Sequence, residues 1–208
     1  MRESKGTVAI TGGGGYVGSV LVPDLLDAGY RVKVLDLFLY GDKIFDRYSS
    51  EDGLVCIKGD VRDPSALDDV FFGTDAVIHL ACISNDPSFE LNPALGKSIN
   101  LDAFGLILDA LERSSVRRFI YASSSSVYGL RGELDVTEKS PTTPLTDYSR
   151  FKLECEYKLQ EWNNSTGVIW TIVRPATVCG YARRLRLDLT VNILTIHALE
   201  NQKIKIFG

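Results

Sequence analysis

The sequence predicts an α/β fold, a doubly wound parallel sheet, on three observations. Apolar runs of strand length alternate with stretches of helical periodicity, a glycine-rich turn joins the first run to the first such stretch, and an acid closes the second run. Alternation of this kind builds βαβ units, whose crossovers lay helices on both faces of a parallel sheet.

The elements follow in order. Val8-Ala9-Ile10 centres a strand over 7–11, and Thr11-Gly12-Gly13-Gly14-Gly15-Tyr16-Val17-Gly18 leads from it into a helix over 16–29. In such a turn Gly12 permits unusual dihedrals, Gly15 leaves no side chain between backbone and a pyrophosphate, and Gly18 lets the helix pack closely. The N–H groups opening the helix then face the phosphates, so the turn, with Tyr16 and Val17 on it, reads as a Rossmann-type dinucleotide cradle. Arg31-Val32-Lys33-Val34-Leu35-Asp36 forms the second strand and places a carboxylate 24 residues after Gly12, close to the spacing of a ribose-binding acid. A carboxylate there accepts from the adenine-ribose hydroxyls and repels a 2′-phosphate, and Leu37-Phe38-Leu39-Tyr40 supply no Arg to attract one. NAD is favoured over NADP.

Further strands are expected over 54–58, 75–81, 116–122 and 167–174, and helices over 65–72, 92–113, 148–164 and 187–200. The longest loop is 129–147, marked by Gly129, Gly132, Pro141 and Pro144, and long loops of this kind border sites. Along 148–162 one stripe holds Tyr148, Phe151, Cys155, Leu159 and Trp162, with Leu153 and Tyr157 off it; 101–111 is apolar almost all round. Such helices are buried within one chain or paired across a subunit interface.

With 208 residues, 45% hydrophobic content and a mean hydropathy of +0.02, the chain can bury a sizeable core. Net charge is −4 and the pI about 5.3, with acids and bases interspersed, which argues against nucleic acid or an anionic membrane as partner. Met1-Arg2-Glu3-Ser4-Lys5 runs into an apolar stretch too short for a signal peptide or a membrane span, so a cytoplasmic protein is expected. Cys56, Cys82, Cys155 and Cys179 lack paired spacing for zinc or a redox motif; reduced, buried thiols and no metal site are expected.

Two groups could do chemistry. Tyr148-Ser149-Arg150-Phe151-Lys152 puts a phenol and an ammonium four residues apart on one helix face, and a nearby cation favours the phenolate. Ser123-Ser124-Ser125-Ser126 follows the run Phe119-Ile120-Tyr121-Ala122, at the end of a parallel strand where ligands bind in open α/β sheets. A hydroxyl there can hydrogen-bond a substrate oxygen and share a proton with Tyr148.

Taken together with Gly59-Asp60-Val61, His79-Leu80-Ala81, Asn100, Val127-Tyr128-Gly129 and Arg174-Pro175-Ala176-Thr177-Val178, the chain resembles the extended short-chain dehydrogenase/reductase family, in its nucleotide-sugar epimerase/dehydratase branch. The resemblance implies Ser124 as the catalytic hydroxyl, Tyr148 as the base and Lys152 as the anchor of the nicotinamide ribose. It also implies that Asp60 and Val61 border the adenine, that Leu80, Ala81 and Cys82 pass under the ribose and phosphate, and that Asn100 supports them. Pro175 to Val178 would approach the nicotinamide, and His79 counts as a strand-end residue. It implies, too, that 1–178 is the NAD-binding domain with the Ser/Tyr/Lys site and that 179–208 begins a smaller C-terminal substrate lobe, most of which is absent.

The family's 4,6-dehydratases carry an Asp-Glu pair after the catalytic hydroxyl; this chain has Ser125 and Ser126, which moves epimerisation ahead of dehydration. A reductase or dehydrogenase, and a non-catalytic NAD-sensing protein, remain alternatives. For the substrate, Ser84-Asn85-Asp86-Pro87 could reach the sugar, and the resemblance suggests Asn192 for a nucleotide diphosphate. Arg183, Arg184 and Arg186 either neutralise that diphosphate or form a solvated basic turn. A homodimer through 92–113 and 148–164 completes the expectation.

Overall fold

The computed structural model describes residues 4–41, 43–84, 89, 91–132, 135–162 and 164–204. Among these, β1 (Thr7–Thr11), β2 (Arg31–Asp36), β3 (Leu54–Lys58), β4 (Ala76–His79), β5 (Arg118–Ala122) and β6 (Ile169–Val173) form one sheet in the order β3-β2-β1-β4-β5-β6. Every neighbouring pair is parallel. Chain order reverses between β1 and β4, and in open α/β sheets the ligand crevice opens above the carboxyl ends at such a point.

Period-2 alternation divides the strand residues between two cores. Val8, Ile10, Val32 and Val34 pack toward α1 (Gly18–Asp27), through its buried Val22, with Phe45 and Leu54. Ala9, Leu35, Val77, Phe119 and Tyr121 pack the other way, against α2 (Pro64–Phe71), α4 (Ala103–Glu112) and α5 (Asp147–Glu161). Fully burying an aliphatic or aromatic side chain contributes about 1.5–3 kcal/mol, so these layers outweigh helix propensity in fixing the helices. Of the apolar residues in α4, Phe104, Ile107, Leu108 and Leu111 are buried within this chain.

The expected strands 7–11, 31–36 and 54–58 coincide with β1 to β3, and the others begin and end within two residues of their predicted limits. The helix expected over 92–113 is divided. A short α3 (Pro93–Lys97) and α4 are joined by a wider, π-type turn, Ser98–Asp102. Buried Asn100 on that turn clasps Ile83 with both ends of its amide, accepting from Ile83 N (2.8 Å) and donating to Ile83 O (2.9 Å). Its carbonyl accepts from Cys155 Sγ at 3.2 Å. These bonds sustain the irregular ladder, as is common for π turns near sites.

The thiols depart from expectation: Cys155 is buried, whereas Cys56, on edge strand β3, and Cys179, beyond β6, are exposed. All four are free. Among the described residues no helix is long and apolar enough to cross a membrane, and no cluster fit to hold a metal occurs.

Candidate active site

The glycine-rich turn closes tightly on its surroundings. Gly12 has φ +75°, and a Cβ there would lie 2.5 Å from Ala81 N; one on Gly18 would lie 2.2 Å from Gly13 O. No side chain caps α1 at Val17, which leaves its opening turn to a ligand. Asp36 sits on the cradle, accepting from Gly14 N (2.9 Å) and from Phe38 N (2.7 Å). Leu80 N donates to Thr11 O (2.9 Å), so Leu80, Ala81 and Cys82 run beneath the turn toward Asn100. This uncapped, glycine-lined helix start beside an acid fits a dinucleotide. Asp60 is paired with Arg62, whose hydrogen bonds hold its carboxyl below the ordinary range, and Val61 next to it is buried.

At the other side of the crevice, Thr146 and Ser149 cap α5 reciprocally and so fix its first turn. Tyr148 lies between them, and Lys152 lies one turn on. Only 4% exposed, Lys152 donates from Nζ to Ala122 O (2.7 Å) at the end of β5, with Nζ 5.8 Å from the Tyr148 ring centroid and 5.2 Å from that of Tyr121. Burial opposes its charge, but Cys82, Tyr148 and Cys155 around it favour that charge more, and Lys152 is held above the ordinary lysine value. Two residues past Ala122, Ser124 opens the short 3₁₀ turn Ser125–Tyr128, which packs on α5 through Val127, Tyr128 and Leu153. Its Oγ accepts from Ser126 N (3.1 Å) and Ser126 Oγ (2.8 Å). Phenol, ammonium and serine turn therefore converge where β5 ends.

Compared with known proteins, residues 8–208 match the NAD dependent epimerase/dehydratase family. The chain belongs to that family. A UDP-glucose 4-epimerase of Streptomyces lividans is 30% identical over 88% of this chain and 55% of its own length. A dTDP-glucose 4,6-dehydratase of Streptomyces niveus is 26% identical over 97% of this chain and 62% of its own. Among solved structures, a UDP-glucuronic acid 4-epimerase of Bacillus cereus, in complex with UDP-4-deoxy-4-fluoro-glucuronic acid and NAD, superposes with a TM-score of 0.84. It is 26% identical and covers 97% of this chain and 66% of that one. The chain spans about half the length of the curated relatives it matches.

Beside Ser124, Tyr148 and Lys152 lies a network that sequence reading missed. Glu156, fully buried, accepts from Ser123 Oγ and from Arg174 Nε (3.0 and 3.1 Å) and Nη2 (2.5 Å). Arg174 also donates to Tyr128 Oη (3.0 Å) and lies over its ring. These contacts tie α5 to the ends of β5 and β6. The available signal was spacing: Tyr148, Lys152 and Glu156 succeed one another at four-residue steps along one helix face.

On the substrate side several of the named residues are bonded within the chain. Asn192, placed by sequence at a nucleotide diphosphate, is buried at the start of α6 (Thr190–Asn201) with its amide fully engaged. It accepts from Gly180 N (2.9 Å) and donates to Tyr16 Oη (3.1 Å) and Arg186 O (2.9 Å). Tyr16 Oη in turn donates to Gly180 O (2.7 Å), so residues 180–192 are strapped to the glycine-rich turn. Arg183 is spent on Ile44 O and Asp46, while Arg186 pairs with Asp188 and reaches Ser84 Oγ (3.0 Å). The guanidinium of Arg184 lies on Tyr40, in the turn after β2. Pro175 O accepts from Ser125 N (3.0 Å), joining the β6 exit to the serine turn. Val178 lines a cavity of about 240 Å³ with Tyr16, Val17 and Leu21 along α1. Asn85 lies outside the described residues.

Proposed function

We propose that this protein is an NAD-dependent nucleotide-sugar 4-epimerase. The observation that carries the proposal is Lys152: a buried ammonium fixed on Ala122 O beside Tyr148, next to a turn in which Ser124 is followed by two further serines. A fixed cation stabilises a phenolate, so Tyr148 is the group to take the proton of a sugar hydroxyl and later return it. Ser124 receives hydrogen bonds from Ser126, which leaves its own O–H to donate to the sugar oxygen. NAD, when bound, supplies the reversible two-electron oxidation of the sugar carbon. Gly12, Gly15, Gly18 and Asp36 would hold it, and Lys152 would bind its nicotinamide ribose. Elimination of water needs a further acid and base, and the serines at 125 and 126 supply neither.

The UDP-sugar epimerases among the relatives support a UDP-sugar as substrate. The proposal includes a homodimer through α4 and α5, where Tyr157 is 49% exposed. Proton NMR of the protein incubated with UDP-, GDP-, CDP- and dTDP-sugars tests the assignment. Inversion at one carbon without net absorbance change at the reduced-nicotinamide band is expected. Stoichiometric cofactor reduction or oxidation would replace the proposal with a dehydrogenase or reductase.

A further inference from the structure

The strap that crosses the cradle carries a guanidinium whose bonding is incomplete. It is anchored on one side by Tyr16 Oη at Gly180 O (2.7 Å) and by Arg183 Nη1 at Asp46 Oδ1 (2.9 Å), and on the other by Arg186 Nη1 at Ser84 Oγ (3.0 Å). Between these anchors, Arg184 N approaches the Oγ of Ser19 (3.4 Å), the second residue of α1, and its Cζ lies 3.6 Å from the Tyr40 ring centroid. The side chain therefore spans from the start of α1 to the turn after Asp36. Those are the two walls of the crevice that a dinucleotide's phosphates and adenosine ribose occupy in this fold.

Arg184 Nη1 donates to Leu185 O (2.8 Å), but Nε is buried and without a partner. A buried, charged N–H that lacks an acceptor is costly and calls for one. Asp36 already accepts from Gly14 N and Phe38 N, and Asp46 from Arg183. An anion resting on an uncapped helix start supplies the missing acceptor, and a guanidinium suits phosphate oxygens better than neutral hydroxyls.

We propose that Arg184 is a cofactor ligand delivered by the strap, its Nε–H donating to a phosphate oxygen of the NAD pyrophosphate on the glycine-rich turn. The proposal rests on the reading of this crevice as the NAD site. It takes Arg184 away from the substrate's diphosphate.

Calorimetric titration of protein freed of cofactor with NAD, ADP-ribose, adenosine and UDP tests it. Loss of a charge-assisted hydrogen bond in Arg184→Ala should weaken NAD and ADP-ribose alike by about 10- to 100-fold, with adenosine and UDP unchanged. Arg184→Lys should recover part of that loss. Unchanged NAD affinity in Arg184→Ala overturns the proposal and leaves the epimerase reading standing; so does a loss confined to UDP. An equal loss for adenosine would mark a general distortion and overturns it as well. Failure of the unaltered protein to bind either NAD or ADP-ribose would remove both readings.

Discussion

Lys152 shows how one side chain can be both a structural and a chemical element. Its amine is buried because Ala122 O, the Tyr148 and Tyr121 rings and Cys82 surround it, and an ammonium without such partners would not stay there. Under the proposed function, the fixed cation leaves the phenol to carry the proton transfer. Tyr148→Phe should lower turnover by about 10²- to 10⁴-fold, the range of a general acid/base group, while titration shows NAD affinity nearly unchanged. A rate within a few-fold of the unaltered protein would remove Tyr148 from the chemistry. The placement of Tyr148 and Lys152 on one helix, of Gly12 in a tight turn and of Asp36 at a strand end was legible in the sequence because each follows from a local pattern. Asn192 and Glu156 were not. Their partners, Tyr16 and Arg174, lie 176 and 18 residues away, and no spacing rule links such pairs.

At the scale of elements, α5 explains the partial success of periodicity. Its apolar stripe was placed on Tyr148, Phe151, Cys155, Leu159 and Trp162, yet the buried face also takes in Lys152 and Glu156. Charges enter a core face only when paired, and pairing across strands is invisible to a hydrophobic pattern. The π turn within 92–113 was missed for the same reason, since its cause is the clasp of Asn100 on Ile83. The Glu156 network predicts a stability effect. Glu156→Gln deprives Arg174 and Ser123 of their shared anion and should cost roughly 3–5 kcal/mol, read as a lower urea midpoint at unchanged slope. A midpoint equal to that of the parent chain would show that the ion pair contributes little.

Across the whole molecule, the parallel, doubly wound sheet was legible in the alternation of strand and helix, since helices between parallel strands leave few connections to choose among. His79 sits at the centre of that sheet: Nδ1 meets Thr11 Oγ1 (2.6 Å) on β1, and its ring stacks on Phe119 and Tyr121 of β5. Burial, aided by the Lys152 charge, lowers its pKa from 6.5 to about 3, so it is neutral in the fold. Between those values the unfolded chain takes up a proton that the folded chain refuses. Its contribution to stability is complete above about pH 6.5 and is lost progressively as pH falls toward 3. Unfolding at pH 5 should therefore absorb close to one proton through His79, measurable by calorimetry in buffers of different ionisation enthalpy. Stability independent of pH between 7 and 5 would contradict a neutral, buried ring.

The shared hydroxyl of Tyr16 joins the mouth of the crevice to the far helix α6 through Asn192 and Gly180. Thermodynamic reciprocity then applies: whatever a dinucleotide gains by ordering the turn, the C-terminal helix gains in protection, and by the same factor. Amide hydrogens of α6 should exchange more slowly when NAD is added, and Asn192→Ala should abolish that slowing while loosening the cofactor. In this chain, holding a coenzyme and keeping α6 folded are one equilibrium seen from two ends.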